Sequence, residues 1–441
     1  MIERTNQILM IYSLVRQLML ASWCRLSCLF VSLVFFVSIS EHLLADELNE
    51  DKVHISGFGT VGVVKGGSSN LGYRRDLSVD GVFDGDTTFK TDSLIGLQLN
   101  AEINKDFDAA IQIVAKERSV NGVEESLEWA YLRHIMTPQM VIRAGRIGMD
   151  LYMLSEYRNL GYSFLWARPP IEFYGIIAFN YFDGLDFNYS ASVKKGTLNA
   201  KLFLGASESN YAFSGKSTKV NLQDLIGLTV SWENDRWHAR LSAATMNGDD
   251  SLNKAYDYDQ LEQVLALASD FGWKEASLLS RELNSEGDRY YYSSAGLAFN
   301  SDSWLVQSEI SYIESEFDVV RPYLNEYLSI GYRIDRVTFY SLFSNGSVRG
   351  SKNVAPSPPA FLGPDFVFLQ EGVQSLYDLN IADQQSISLG VRWNLRHDLT
   401  LKAEIGRTWV EANGGLLWAK DDLAKNSQVI NTYTLNLNFV F

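Results

Sequence analysis

The sequence predicts an all-β fold, a transmembrane antiparallel β-barrel of sixteen strands, and three observations lead there. Segments alternating apolar and polar residues recur with period two along nearly the whole chain. The connections between them are alternately short and long, which is the loop plan of a membrane barrel with strands of about ten residues. Trp and Tyr gather at strand ends, at Trp129, Tyr131, Trp232, Trp237, Trp304, Tyr312 and Trp393, as aromatic girdles at two bilayer interfaces require. A soluble sandwich or propeller also alternates, but it does not sort its connections by length.

The first segment stands apart. Arg4, Arg16 and Arg25 precede the apolar run Leu29 to Ser40, and Ala45 offers a cleavage point, so 1–45 reads as a secretory signal peptide and 46–441 as a single barrel domain. Initiation at Met19 gives a leader of ordinary length, and a retained membrane anchor is the alternative. Both cysteines, Cys24 and Cys28, lie in this segment, which leaves no disulfide scaffold or thiolate metal site for the barrel. Removing its three basic and two acidic residues takes the formal charge from −15 to −16, a surface unsuited to nucleic acid. No later apolar run is long enough for a transmembrane helix, so strands must do any spanning.

The first strand is Val53 to Val64. The loop that follows, Arg74 to Asp92, clusters Asp76, Asp80, Asp84 and Asp86, hard oxygen ligands for a divalent cation. Their spacing departs from an EF-hand, a solvated acidic loop is the plainer reading, and no metal or cofactor is expected. The second and third strands, Asp92 to Asn104 and Phe107 to Glu117, flank a tight turn at Lys105 and Asp106. Further strands centre near residues 131, 143, 189, 202, 229, 241, 295, 309, 329, 340, 390, 404 and 436. Short turns fall near Pro138, Gly196, Asp235, Ser301, Asp335 and His397, and the remaining connections run from about eight to more than forty residues.

The third long connection, 148–183, is rich in aromatics and poor in charge, unlike an ordinary exposed loop, and is expected to fold into the lumen as a constriction. Its charged residues, Asp150, Glu156, Arg158, Arg168 and Glu172, are the candidate constriction residues, and Pro169 and Pro170 stiffen the backbone beside them. Strand phase supplies the candidate pore wall. With Val193, Leu202, Leu241, Ile330, Val391 and Leu401 outward, Lys194, Lys201, Arg240, Arg333, Arg392 and Lys402 turn inward, as does Arg143 on its own strand. The inward acids Glu102, Asp108, Glu128, Asp186, Glu309 and Glu404 nearly balance them, so ion preference is not legible. Bases gathered opposite an acidic loop would set up a transverse field that orients dipolar solutes. The same charges equally suit salt-bridged wall filler.

The stretch Ala130-Tyr131, a short turn, then Gly145-Arg146 leading into a Tyr-containing loop resembles the general porins of Gram-negative bacteria. The strand plan of that family covers nearly the whole chain, although "WARPPIEFYG" stands where enterobacterial members have a "PEFGG" motif. The resemblance implies a cell outer membrane location among lipid and lipopolysaccharide, a homotrimer and an inward third loop. Residues Tyr433, Leu435, Leu437, Phe439 and Phe441 alternate with small or polar residues, and an even strand number brings this segment against the first strand. The pattern resembles the assembly signal read by the barrel-assembly machinery.

Within the long external loop 247–288, Leu261, Val264, Leu265, Ala268 and Phe271 form a helical stripe, expected to lid the outer mouth or, less simply, to meet a partner protein. The histidines beyond the leader, His54, His134, His238 and His397, fall near the periplasmic end, where none can serve as a base for an external hydrolase site, so no enzyme is expected. The expected function is a water-filled porin for passive diffusion of small hydrophilic solutes. A substrate-specific channel and a surface adhesin-like barrel are the alternatives.

Overall fold

The alternation noted above becomes a closed barrel. The structure is a computed structural model that describes residues 52–120, 122–213, 216–251, 258–351, 353–420 and 426–441. The expected signal peptide lies outside the described residues. Sixteen long strands form one sheet: β1 (Val53–Lys65), β2 (Leu94–Asn104), β3 (Phe107–Lys116), β4 (Leu127–Thr137), β5 (Met140–Gly148), β6 (Tyr181–Val193), β7 (Gly196–Phe213) and β8 (Lys216–Glu233). The second half follows as β9 (Trp237–Gly248), β10 (Arg289–Asn300), β11 (Trp304–Ser315), β12 (Tyr323–Ile334), β13 (Val337–Val348), β14 (Ala382–Arg396), β15 (Leu399–Gly415) and β16 (Gln428–Val440). Each pairs with its sequence neighbour, and β1 pairs antiparallel with β16 from Phe58 opposite Val440 to Lys65 opposite Tyr433.

Closure continues past the last ladder pair. The Gly57 amide donates to the Phe441 carbonyl at 2.8 Å, and the Phe441 amide returns the bond at 2.9 Å. A Cβ on Gly57 would lie 2.2 Å from the Phe441 ring, and one on Gly59 would lie 2.4 Å from the Phe439 ring. The two glycines of β1 therefore leave the room that the two rings of β16 fill, a cross-strand pairing that restores side-chain contact where glycine has none. The barrel thus has no open edge to satisfy.

The two faces of the sheet have opposite character. On the outer face, Leu97, Leu202, Leu228, Leu241, Ile310, Ile330, Phe343, Leu389, Ile405 and Leu435 are exposed. On the enclosed face, Thr229, Ser242, Glu309, Ser329, Ser344, Lys402, Thr434 and Asn436 are buried. A soluble protein buries its apolar face, and this inversion is that of a barrel whose outer solvent is hydrocarbon. Near the short turns Trp237, Trp304 and Trp393 are exposed, with Trp237 against Phe299 at 4.7 Å and Trp304 against Tyr332 at 4.8 Å between ring centroids. No helix among the described residues is long and apolar enough to cross a membrane.

The long connections all lie at one end of the barrel. One departs from expectation: β7 and β8 each run for 18 residues, so the fourth outer connection is a projecting hairpin and not a long loop. The fifth, 249–288, carries α1 (Tyr258–Asp270) and α2 (Ala276–Glu282), and the seventh, 349–381, carries α3 (Pro364–Leu379). These helices bury Leu265, Ala268, Trp273, Leu279, Val373 and Tyr377 together, whereas Val264 and Phe271 of the stripe are exposed. The first and eighth connections meet through Leu71–Gly72 paired with Ala419–Lys420, and Tyr73, Leu77, Leu417 and Trp418 bury together there. The aspartates of the first connection do not converge. Asp76 is buried, pairs with Arg75 at 3.3 Å and accepts the Ser78 amide at 2.9 Å, while Asp80 and Asp84 are exposed. Among the described residues no three metal-ligating side chains come together.

Candidate functional site: the third connection and the enclosed wall

Residues 149–180, between β5 and β6, attach to the enclosed face of strand after strand. The Leu151 carbonyl accepts the hydroxyls of Tyr292 on β10 (3.1 Å) and Ser294 (3.2 Å). The Met153 amide donates to Glu309 on β11 at 2.8 Å, and the Trp166 indole donates to Ser329 on β12 at 2.7 Å. Glu172 accepts from Ser344 on β13 and Gln384 on β14, both at 2.7 Å. The Ala167 amide donates to Glu404 on β15 at 3.2 Å, and its carbonyl accepts from Asn436 on β16 at 2.7 Å. Backbone groups of an irregular segment need such partners once they leave water, and the polar enclosed face supplies them.

Apolar side chains of the segment find partners on the same wall. Tyr152, Phe164, Trp166, Phe173 and Tyr174 bury against Phe203, Tyr292, Tyr327 and Tyr340. The rings meet edge to face, with Trp166 to Tyr327 at 5.3 Å and Phe173 to Tyr327 at 5.2 Å. Aromatic content in a lumen segment is thus explained by contact with tyrosines that the strand phase alone would have read as pore lining.

The charged residues form two groups. In the first, Asp150 pairs with Lys201 on β7 at 2.8 Å and with Arg240 on β9 at 2.7 Å. Burial pushes the Asp150 carboxyl up, but the two cations outweigh it and hold the group down at about 2. Glu156 pairs with the same Lys201 at 3.0 Å and with Arg143 at 3.4 Å, and Lys201 is the main reason its carboxyl is held below the usual range. Arg143 is also bound to Asp186 through its Nε at 2.9 Å. These pairs correct the expectation of acids facing bases across an open gap: the loop acids touch the wall bases directly.

The second group is buried beneath the segment. Lys402 is fully buried, and its Nζ donates to the carbonyls of Gly161, Phe164 and Trp166, each at 2.6 Å, with the Phe164 ring 4.3 Å away. Arg392 donates to the same Phe164 carbonyl at 3.0 Å. Arg168 donates to Thr434 at 2.8 Å, lies 3.7 Å from Asp92 and stacks over Tyr73. Lys402, expected on a water-lined wall, is instead a clamp on loop backbone, and the buried Glu172 likewise faces no water. Lys194 lies exposed in the turn between β6 and β7, and Arg333 reaches the Asp302 carbonyl beside another turn at 3.5 Å, so neither stands at mid-wall. Arg158 donates to the Tyr174 carbonyl at 3.5 Å.

Most attachments run from β7 round to β16, joined by Arg143 of β5 on Glu156 and by Lys116 of β3, which donates to Asn159 at 3.1 Å, and a cavity of about 260 Å³ remains on that less attached side. Its walls are Gln98, Gln112, Glu128 and Trp129 of the barrel and Glu156, Tyr157, Arg158 and Asn159 of the segment. The Glu156 side chain is 47% exposed, the most open of the paired acids in the segment. Gln98 and Gln112 hydrogen-bond each other at 2.8 Å, and Glu128 is tied to Lys116 at 2.8 Å and Arg118 at 3.0 Å. The strand phase turns Glu128 inward but carries no signal that it borders the remaining space.

No protein-family model matches the chain, and no curated protein sequence matches it. Solved structures do. OmpF of Salmonella typhi, solved in complex with daunomycin, is 11% identical with a TM-score of 0.51, over 89% of this chain and 99% of that one. An anion-selective porin from Comamonas acidovorans is 12% identical at a TM-score of 0.49, over 88% and 99%. The outer membrane channel DcaP of Acinetobacter baumannii is 12% identical at 0.45, over 90% and 100%. At such identity the likeness to OmpF is one of fold: the chain has the sixteen-stranded barrel architecture of an outer-membrane porin.

Proposed function

We propose that the protein is a porin-type channel of the Gram-negative outer membrane, in which residues 149–180 lie inside the barrel and set the width of a polar passage. The observation that carries this reading is the asymmetric attachment of the segment: most of its bonds run to β7 through β16, Lys116 of β3 and Arg143 of β5 reach it from the other wall, and a polar space is left beside β1 to β4. Small hydrophilic solutes pass there by diffusion, between Gln98, Gln112 and Glu128 on the wall and Glu156 and Arg158 on the segment. In this orientation the short turns face the periplasm and the long connections face outward, as in membrane barrels generally. Trimer formation, lipopolysaccharide contact and recognition of the Tyr433 to Phe441 segment by the barrel-assembly machinery belong to the same reading.

A channel also suits the histidines better than an enzyme does. His134 lies within β4, 3.2 Å from the Asp106 carbonyl of a short turn and stacked on Phe107 at 4.2 Å, which is a structural placement. Reconstitution of the full chain in a planar bilayer tests the proposal. Discrete steps with current proportional to salt, unaffected by millimolar sugars, are expected for diffusion. Block by one solute at low concentration would transfer the reading to a specific channel, and absence of steps would remove the channel altogether.

A further inference from the structure

On the opposite side of the segment from the polar passage lies a second cavity of very different character. It occupies about 170 Å³ toward the loop end, bordered by Leu77 of the first connection, Leu151 of the third, Val220 of β8, Met246 of β9 and Ile313 of β11. Phe179, Tyr292 and Phe317 add ring faces and edges. Polar groups stand mainly at its margins and most are already engaged: Asn221 donates to Asp249 at 2.8 Å, its amide donates to Ser251 at 3.1 Å, and the Tyr323 hydroxyl donates to the Asn380 carbonyl, while the buried Tyr290 hydroxyl of the lining has no partner among the described residues.

Such a space is out of place in a water-filled lumen. Folded interiors are close-packed and leave few voids larger than a water molecule, and those that are apolar stay dry. A water inside needs two to four polar partners, and these walls offer almost none. An apolar cavity of about 150 Å³ is large enough to admit benzene or xenon, which sets the scale for what fits here. Aromatic lining favours an aromatic occupant, because ring edges and faces pair at 4.5 to 7 Å in offset or edge-on geometry.

We propose that this chamber is a binding site for a small apolar molecule of the monocyclic aromatic class, taken up beneath the outer loops. The site is built from five separate connections and strands that converge on it, and its occupant shares no wall residue with the polar passage. Binding in the chamber therefore stands or falls separately from conduction beside β1 to β4. The ligand class is set by shape and by the scarcity of free polar partners, the Tyr290 hydroxyl being one: a hydrocarbon such as toluene fits, and a sugar of similar size would leave most of its hydroxyls unpaired.

The test uses crystals of the full chain, pressurised with xenon and separately soaked with toluene, alongside Val220→Phe and Ile313→Phe. Each substitution places extra ring atoms in the chamber and leaves the passage untouched. Xenon and toluene density between Leu151, Val220 and Ile313 in the unaltered protein is expected, with toluene occupancy lowered at least tenfold in whichever filled variant folds. Ordered water in the chamber, or no density from either probe, overturns the proposal. So does toluene density that persists unchanged in a filled variant.

Discussion

Lys402→Met isolates the clamp beneath the third connection. The change keeps an unbranched side chain, one atom shorter, and removes the ammonium that three carbonyls, those of Gly161, Phe164 and Trp166, accept from at 2.6 Å each. Hydrogen bonds to a charged group contribute about 1.5 to 3 kcal/mol each, and a buried acceptor left unsatisfied costs about 1 to 3 kcal/mol. Arg392 still serves the Phe164 carbonyl, so two carbonyls, those of Gly161 and Trp166, are orphaned at a total of about 2 to 6 kcal/mol, offset in part because a buried ammonium no longer has to be desolvated. Taking about 3 kcal/mol within that range for the loosening of the stretch 160–168, at 1.36 kcal/mol per decade the rise in its open population is close to a hundredfold. Hydrogen exchange of peptides covering that stretch reads the change directly, because the Ala167 amide is held by Glu404 only while the segment is seated. Protection should fall about a hundredfold there and remain unchanged in β11 and β12. Equal protection in the variant and the parent would show that Lys402 does not hold the segment.

Three further perturbations probe other parts of the account. Leu99→Arg puts a charge on the exposed outer face and should cost about 2 to 4 kcal/mol near the bilayer midplane, read as a lower urea midpoint in lipid, while Asn100→Arg on the enclosed face should be tolerated; equal effects would mean the faces are misassigned. Asp150 is held down at about 2, below an unfolded carboxyl near 3.9, so its latch to Lys201 and Arg240 is fully present above about pH 4 and is lost as pH falls toward 2. Single-channel conductance should stay level from pH 7 to about 4 and rise only below that, and a rise already at pH 5 would place the latch elsewhere. Deleting Phe441 removes both backbone bonds to Gly57 and the ring that covers it, and should lower the yield of heat-modifiable barrel without lowering synthesis; normal assembly would contradict it.

The fold was legible because a membrane barrel writes its two solvents into every strand. Apolar residues such as Leu97 and Leu241 must face hydrocarbon and their neighbours must not, so the period-two signal survives without any partner being known. Each of the sixteen expected strand centres falls within an observed strand. The projecting β7–β8 hairpin was missed because loop length is judged from where alternation fades, and a polar hairpin fades without ending. The site was legible only in outline. Lys201, Arg240 and Lys402 share one strand phase, yet the first two meet loop carboxylates and the third meets loop carbonyls. That distinction depends on the path of the backbone between Asp150 and Trp166, which no periodicity encodes. Acids and bases on one enclosed face had two readings, a field across a gap or direct pairs, and at Asp150 and Glu156 the distances decide for the pairs.

The central claim is that residues 149–180 narrow the channel from inside the barrel. Single-channel recording of a variant lacking residues 152–161 tests it most directly, since this stretch carries Glu156, Arg158 and Asn159 at the edge of the remaining space and leaves the strands intact. A severalfold larger conductance step is expected in molar salt, where the screening length is about 3 Å and width dominates over charge. An unchanged step from a variant that still migrates as a folded barrel would place the constriction elsewhere.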